Sequence, residues 1–337
     1  MRHSLGWVLA ASLPAGVIAS VAFGGTDLDA GSVLAALTTL APGSGPGSPD
    51  QATLVAIVFE LRLPRALLAA MVGAILAMVG VMLQTVTRND LADPFLFGLS
   101  SGAAVGAVAV IVLTGEALGI WSVPLAAFGG AMVAAGCVQL LMRRAAEQGA
   151  ERLVLAGVAV SFLFGALTHL IIVAGDQRSA QSALFWTLGG LGTARWDNLA
   201  VAVAGLAALI VFALRRRRRL DALLAGDDTA HSLGVQPERL RAQTFMVCAF
   251  ATACCVALAG VIGFVGLMVP HLARRHAGVL HAGLLPWAAL LGALLMLGCD
   301  LAARTLLAPQ ELPVGIVTAI VGAGFVLALL GRDPHRN

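Results

Sequence analysis

Lysine is absent from all 337 residues, so the net charge of +3 rests on arginine alone. A phosphate-cradling loop of the G-x-x-x-x-G-K-[ST] type needs its lysine on the β and γ phosphates, and without one this chain has no standard nucleotide-hydrolysing site. Charge of either sign is scarce: 12% of residues are charged, against about 25% in soluble globular domains. With 59% hydrophobic residues and a mean hydropathy of +0.92, the main solvent of this chain is lipid. The five cysteines, Cys137, Cys248, Cys254, Cys255 and Cys299, have no C-x-x-C or Cys/His metal spacing and read as small buried apolar residues. Apart from Asp300, the apolar segments almost lack acidic residues. Ion-coupled secondary carriers place carboxylates near the midplane, so that class is disfavoured. An intramembrane enzyme would need a polar catalytic constellation, and the apolar segments offer none, nor any motif for a cofactor.

What is present is a series of apolar runs bounded by charge or Gly/Pro clusters, at 5–23, 63–86, 95–114, 121–142, 152–174, 197–214, 242–262, 264–276, 284–303 and 313–331. With about 20 residues needed to span a bilayer, they imply an all-α, polytopic bundle of about ten transmembrane helices, one domain over 1–337. The eighth run is too short to span alone. Its Gly260, Gly263, Gly266 and Pro270 predict a broken or half-length helix buried among its neighbours. The first run follows Arg2 and His3, and Ser20-Val21-Ala22 resembles a small-residue cleavage site, but its length suits a retained span better than a signal.

Arginine sets the orientation. With the N-terminus in the cytoplasm, sixteen of the twenty-one arginines fall inside, and only Arg62, Arg65, Arg178, Arg195 and Arg304 fall outside. Both termini are then cytoplasmic. The outer stretch after the first span contains Ala41-Pro42-Gly43-Ser44-Gly45-Pro46-Gly47-Ser48-Pro49-Asp50, which lacks core-forming residues. The long inner connection, 215–241, opens on five arginines and continues with apolar residues at helical spacing, with Gly234 as a helix stop and Pro237 beyond it. It reads as one or two short surface helices. Arg215 to Arg219 suit a topology anchor on anionic lipid headgroups better than a nucleic-acid site.

Other motifs reduce to structure. Gly98-Leu99-Ser100-Ser101-Gly102 fits G-x-S-x-G, but it opens a membrane helix instead of a strand-turn-helix elbow. Gly98, Gly102 and Gly106 lie four apart, a spacing for close helix packing. His271, His276 and His281 have no H-E-x-x-H companion, and His169 reads as a hydrogen-bonded core residue, so no metal site is assigned. Asp300 and Arg304, four apart, pair on one helix face.

Leu61-Arg62-Leu63-Pro64-Arg65, Gln84, Arg88-Asn89-Asp90-Leu91-Ala92-Asp93-Pro94 and Gly98-Leu99-Ser100 resemble the FecCD-type permeases that import iron siderophores, haem and vitamin B12. The resemblance continues through Trp186, Gly189, Trp196, Leu233-Gly234, the run from Gly260 to His271, Asp300 with Arg304, and Glu311-Leu312-Pro313-Val314-Gly315. It implies a type II ABC importer permease fold in the bacterial inner membrane, dimerised with a second permease subunit. Two ATP-binding cassette subunits would bind inside, and a periplasmic or lipid-anchored substrate-binding protein outside. It further implies that Arg62, Arg65 and Arg304 receive carboxylates of the binding protein, that Gly226, Asp227, Ala230, Leu233 and Gly234 contact the ATPase, and that Asn89 and Leu91 form a cytoplasmic gate. Ferric siderophore leads as cargo, ahead of cobalamin and haem. Three positions depart from the family pattern: Asn89-Asp90 replaces Asn-Pro, Gly322-Ala323-Gly324-Phe325 lacks the usual proline, and nothing near Gly149, Ala150 and Glu151 matches the second gate.

The arginine distribution is tested by single-cysteine labelling in a cysteine-free background. Cysteines at 222 and 335 should react only from the cytoplasm, and those at 45 and 178 only from outside. Opposite accessibility at two of the four sites would overturn the ten-span reading.

Overall fold

The computed structural model describes residues 2–24, 31, 49–115, 119–143 and 149–331. The Gly/Pro-rich tract at 41–48, Arg144, and the C-terminal arginines Arg332 and Arg336 lie outside the described residues, as do the side chains of Gly149, Ala150 and Glu151.

Among the described residues every regular element is helical. The order is α1 (Arg2–Ala22), α2 (Pro49–Ala56), a π-helical turn (Ile57–Arg62), α3 (Leu63–Thr87), a 3-10 turn (Pro94–Phe97), α4 (Leu99–Thr114) and α5 (Ser122–Arg143). There follow α6 (Gly149–Ala174), α7 (Gln177–Thr187), α8 (Trp196–Leu224), α9 (Asp227–Ser232), α10 (Pro237–Ala259), α11 (Val265–Ala277), α12 (His281–Thr305) and α13 (Val314–Leu330). Six described helices are long and apolar enough to cross a membrane, and Ala11–Ala22, Leu99–Thr114 and Val314–Leu330 are shorter apolar helices. The chain is a multi-pass membrane protein.

α3 is the axis of the bundle. It is buried along nearly its whole length and packs against α12, α8, α10, α11 and α1. Glycine permits the closest of these approaches. A Cβ at Gly73 would sit 2.1 Å from the Gly292 carbonyl oxygen of α12, and one at Gly80 would sit 2.0 Å from that of Gly266 in α11. Lipid gives apolar side chains little reason to associate, so small residues that let backbones touch supply the packing energy. The expected glycine stripe after the second span divides its work: Gly102 and Gly106 press on Gly130 and Ala126 of α5, whereas Gly98, at φ +76°, turns the chain into α4.

α11 has 13 residues, about 20 Å of helix, too short for a bilayer core of about 30 Å. It follows an irregular stretch from Gly260 and is enclosed by α3, α12 and α13, as the glycine cluster predicts. Two elements escape the hydropathy pattern. The π turn joins α2 to α3 in one continuous apolar helix from Ala52 to Thr87, and the Phe59 carbonyl in that turn accepts a 2.8 Å bond from Trp196 Nε1. α7 is mostly polar from Gln177 to Ser182 and apolar from Ala183 to Trp186, and its sequence signal is Asp176, whose carboxylate accepts from the Arg178 and Ser179 N–H groups as an N-cap.

Replacing Gly73 by alanine should lower the unfolding midpoint of the detergent-solubilised chain, at a cost of about 1–3 kcal/mol for overpacking. Gly129→Ala is the control, because a Cβ there meets nothing within 4 Å. Equal midpoints for the two variants would contradict the α3–α12 backbone contact.

Candidate functional site

Three features stand out: a cavity beside the loop that follows α3, a polar lattice at one end of α3, and a second lattice at the end bearing the arginine tract. The cavity measures about 480 Å³ and is walled mainly by Leu91, Phe264, Leu267, Ile316, Ala319 and Ile320. Backbone crossings shape its wall. A Cβ at Gly189 would meet the Val261 carbonyl at 2.4 Å, and one at Gly315 would meet the Leu188 carbonyl at 2.2 Å. Phe264 holds φ 69°, a left-handed conformation costly for a bulky residue, and its ring carbons occupy the space a Cβ at Gly322 would need. α13 runs through Gly322 and Gly324 without a break, so the glycines here supply room for Phe264 instead of a bend.

Of the two predicted gate residues, Leu91 lines this cavity and Asn89 stands in the same loop outside the lining. Arg88, at φ 49°, ends α3 by donating its N–H to the carbonyls of Gln84 and Thr85. Asn89 Oδ1 accepts the Leu91 N–H at 2.9 Å, and Leu91 is exposed against the cavity. Hydrogen bonds and an ion pair fix this loop. Asp90 pairs with Arg274 at 3.2 Å, and Gln84 Nε2 donates to the carbonyls of Gly266 at 3.1 Å and Ala92 at 3.4 Å. Asp93, to which the motif attached no role, is buried at the cavity floor and accepts the Phe95 N–H at 2.9 Å as N-cap of the 3-10 turn. Burial pushes its carboxyl up to about 6, with the Phe95 bond pulling the other way.

At the arginine-rich end, Asp227 opens α9 and receives two guanidinium groups. Arg241 donates from Nη2 at 2.8 Å, and Arg88 donates from its own Nη2. Burial works to raise the Asp227 carboxyl, but Arg241 and Arg88 outweigh it and hold it below the usual carboxylate range. Arg241 is itself buried and donates Nε to the Val86 carbonyl at 2.9 Å. α9 is thereby clasped to the last turn of α3, next to Asn89. Among the other predicted contact residues, Ala230 is buried, Gly226 and Gly234 take φ 110° and 74° to bend the chain into and out of α9, and Leu233 is 67% exposed. A second tie was not legible in the motifs. The buried His281 accepts or donates at both ring nitrogens, 2.6 Å from Asp221 Oδ1 and 3.0 Å from Thr85 Oγ1, joining α8, α12 and α3.

At the opposite end the structure brings Arg62, Arg65 and Arg304 together from distant sequence, with the side chains of Arg62 and Arg304 turned inward. Arg62 Nη1 donates to the carbonyls of Val21 at 2.9 Å and Ala22 at 3.0 Å. Arg304 donates to the Ser20 carbonyl at 2.9 Å and the Phe23 carbonyl at 3.2 Å. These are the carbonyls that the end of α1 leaves without helical partners. Asp300, fully buried, joins the group: Arg65 Nε donates to it at 2.9 Å, and Arg304 Nε lies 3.1 Å away. Arg65 Nη1 extends outward to the half-exposed Glu311 at 2.8 Å. The expected Asp300–Arg304 pair is present, as part of a larger lattice.

The chain is similar in sequence and fold to known proteins. The profile of the FecCD transport family matches residues 12–332. The cobalamin import system permease protein BtuC of Halobacterium salinarum is 43% identical over 291 residues, 85% of this chain and 76% of that protein. The hemin transport system permease protein HmuU of Yersinia pestis is 39% identical over 83% of this chain and 85% of its own length. The Fe(3+) dicitrate transport system permease protein FecD of Escherichia coli is 38% identical over 82% and 85%. A solved structure described as a metal-chelate type ABC transporter in an inward-facing conformation superposes with a TM-score of 0.83 at 29% identity, over 97% of this chain and 98% of that one.

Asp93 predicts a pH dependence. Its folded value lies above the ordinary 3.8, so its contribution to stability is full below about 3.8 and is lost as pH rises through about 6. Asp93→Asn keeps the cap and removes the titration. The unfolding midpoint of the unmodified chain should therefore fall relative to D93N between about pH 4 and pH 7 and run parallel to it above; parallel curves throughout would place the charge in water.

Proposed function

The chain belongs to the FecCD transport family, and from that membership we propose that it is the membrane-spanning permease of an ATP-driven importer whose cargo is a ferric siderophore. The cavity beside α13 carries this reading. Its apolar walls suit a bulky chelate that brings its own metal ligands and must not adhere to the path. Leu91 closes the cavity at the arginine-rich end, where the Asn89 loop can act as a gate. Cobalamin is the second reading, favoured by the 43% identity to a cobalamin import permease.

The orientation follows from charge: the end bearing Arg215 to Arg219 faces the cytoplasm, and the chain lies in the bacterial inner membrane with both termini inside. Two ATP-binding cassette subunits bind at the connection over 215–241, a second permease subunit completes the path, and a binding protein docks outside. Leu233 offers an exposed apolar contact to the ATPase, while Asp227 relays movement of α9 to Arg88 and hence to the gate loop. Arg65 is the arginine best placed to receive a carboxylate, since it already holds Glu311 at the surface. Arg62 and Arg304 position the end of α1 and support it from behind.

The assignment is tested in proteoliposomes containing the full permease, its ATPase and its binding protein, by comparing ATP-dependent accumulation of ferric siderophore, cobalamin and hemin. Accumulation of none of the three would remove the reading. Leu233→Asp should weaken ATPase binding by about tenfold, a loss of about 1.4 kcal/mol, with normal membrane insertion; normal assembly and transport would remove Leu233 from the contact. Glu311→Gln should free Arg65 and tighten docking of the binding protein at low salt, the gain fading as salt rises. Unchanged docking would leave Arg65 a structural residue.

A further inference from the structure

A second cavity lies away from the transport path, on the side of the bundle. α5 and α8 both pack on α10 far more closely than on one another, which leaves a groove of about 1020 Å³ floored by α10. Its upper wall is apolar, with Leu140, Val211, Phe212, Met246 and Val247. Its lower end is lined by Arg215, Arg216 and Arg239, with Gln139 and Gln243 beside them, and no carboxylate lines it. The levels agree with a bilayer boundary. From Trp196 to Arg215, α8 rises about 28 Å, close to the thickness of the hydrocarbon core of about 30 Å, so the guanidinium groups stand at headgroup depth. Among the described residues none of the three arginines enters an ion pair, unlike Arg65, Arg88, Arg241 and Arg304.

We propose that this groove is a binding site for one anionic phospholipid of the leaflet at the arginine-rich end, its phosphodiester held by Arg215, Arg216 and Arg239 and an acyl chain lying between α5 and α8 on α10. Charge complementarity selects the occupant. Three unpaired guanidinium groups that can fork onto phosphate oxygens sit directly below an apolar channel, and a phospholipid presents that pair of chemistries in that order. A zwitterionic lipid brings a cation that the arginines repel, and a free phosphate leaves the channel empty. The seated lipid would brace α8 and α10 where they enter the 215–241 connection.

The test counts lipid retained on the full-length permease by native mass spectrometry, after exchange into mild detergent containing phosphatidylglycerol, phosphatidylcholine of the same chains, or sodium phosphate. Phosphatidylglycerol should be retained and phosphatidylcholine should not, and millimolar phosphate should fail to displace the lipid. The variant R215Q/R216Q/R239Q should lose retention by about fivefold per arginine. R217Q/R218Q/R219Q, which removes equal charge from the same tract but outside the groove lining, should keep it. Gly136→Phe leaves every arginine in place and fills the channel from α5, where a Cβ meets nothing within 4 Å; it should also abolish retention. Equal losses in the two triple variants, equal retention of phosphatidylcholine, or displacement by phosphate would overturn the proposal. So would Gly136→Phe if it dissociated the permease dimer while lipid retention stayed unchanged, which would make the groove a contact between chains.

Discussion

Apolar side chains gain little from one another in a solvent that is itself apolar, so helices in lipid associate through close backbone approach and through polar groups that have no other partner. Both forces converge on α3. Gly73 and Gly80 bring its backbone against α12 and α11, and the helix is enclosed so completely that its two ends are the places left for polar chemistry. The positions of both lattices and of the loop that follows α3 descend from that enclosure.

The same arrangement closes each end. Guanidinium groups reach across helices to carboxylates and to backbone carbonyls that helix ends leave unpaired. At one end Arg62, Arg65 and Arg304 surround Asp300 and the last carbonyls of α1, and at the other Arg88 and Arg241 join Asp227 to the last turn of α3. A buried carboxylate such as Asp300 is tolerated because its partners are fixed around it; removing one would leave charge stranded in a low-dielectric interior. The clasp on Asp227 differs in being half-exposed and built from a surface helix. The coupling proposed for α9 would act through this clasp and not through the enclosed Asp300 lattice.

Within that frame the cavity is shaped by what glycine leaves out. Gly189 and Gly315 let three segments cross, and Gly322 receives Phe264, whose positive φ is sustained by packing instead of by its own preference. A permease for bulky cargo benefits from such walls, since apolar and small surfaces offer a solute no strong foothold.

The number and rough bounds of the apolar segments, the short eighth helix and the arginine asymmetry were legible in the sequence, because hydropathy and charge act on each segment separately in a membrane. The Asp300–Arg304 pair was legible for the same reason, four residues on one helix. Arg65 on Asp300, Arg241 on Val86 and His281 between Asp221 and Thr85 were not, since each joins residues far apart in the chain. Nor could motif matching tell that Arg62 and Arg304 turn inward: an arginine at a helix end can face water, headgroup or a neighbouring carbonyl. The choice among them is made only when α1 ends beside α3 and α12, presenting carbonyl groups that nothing else can satisfy.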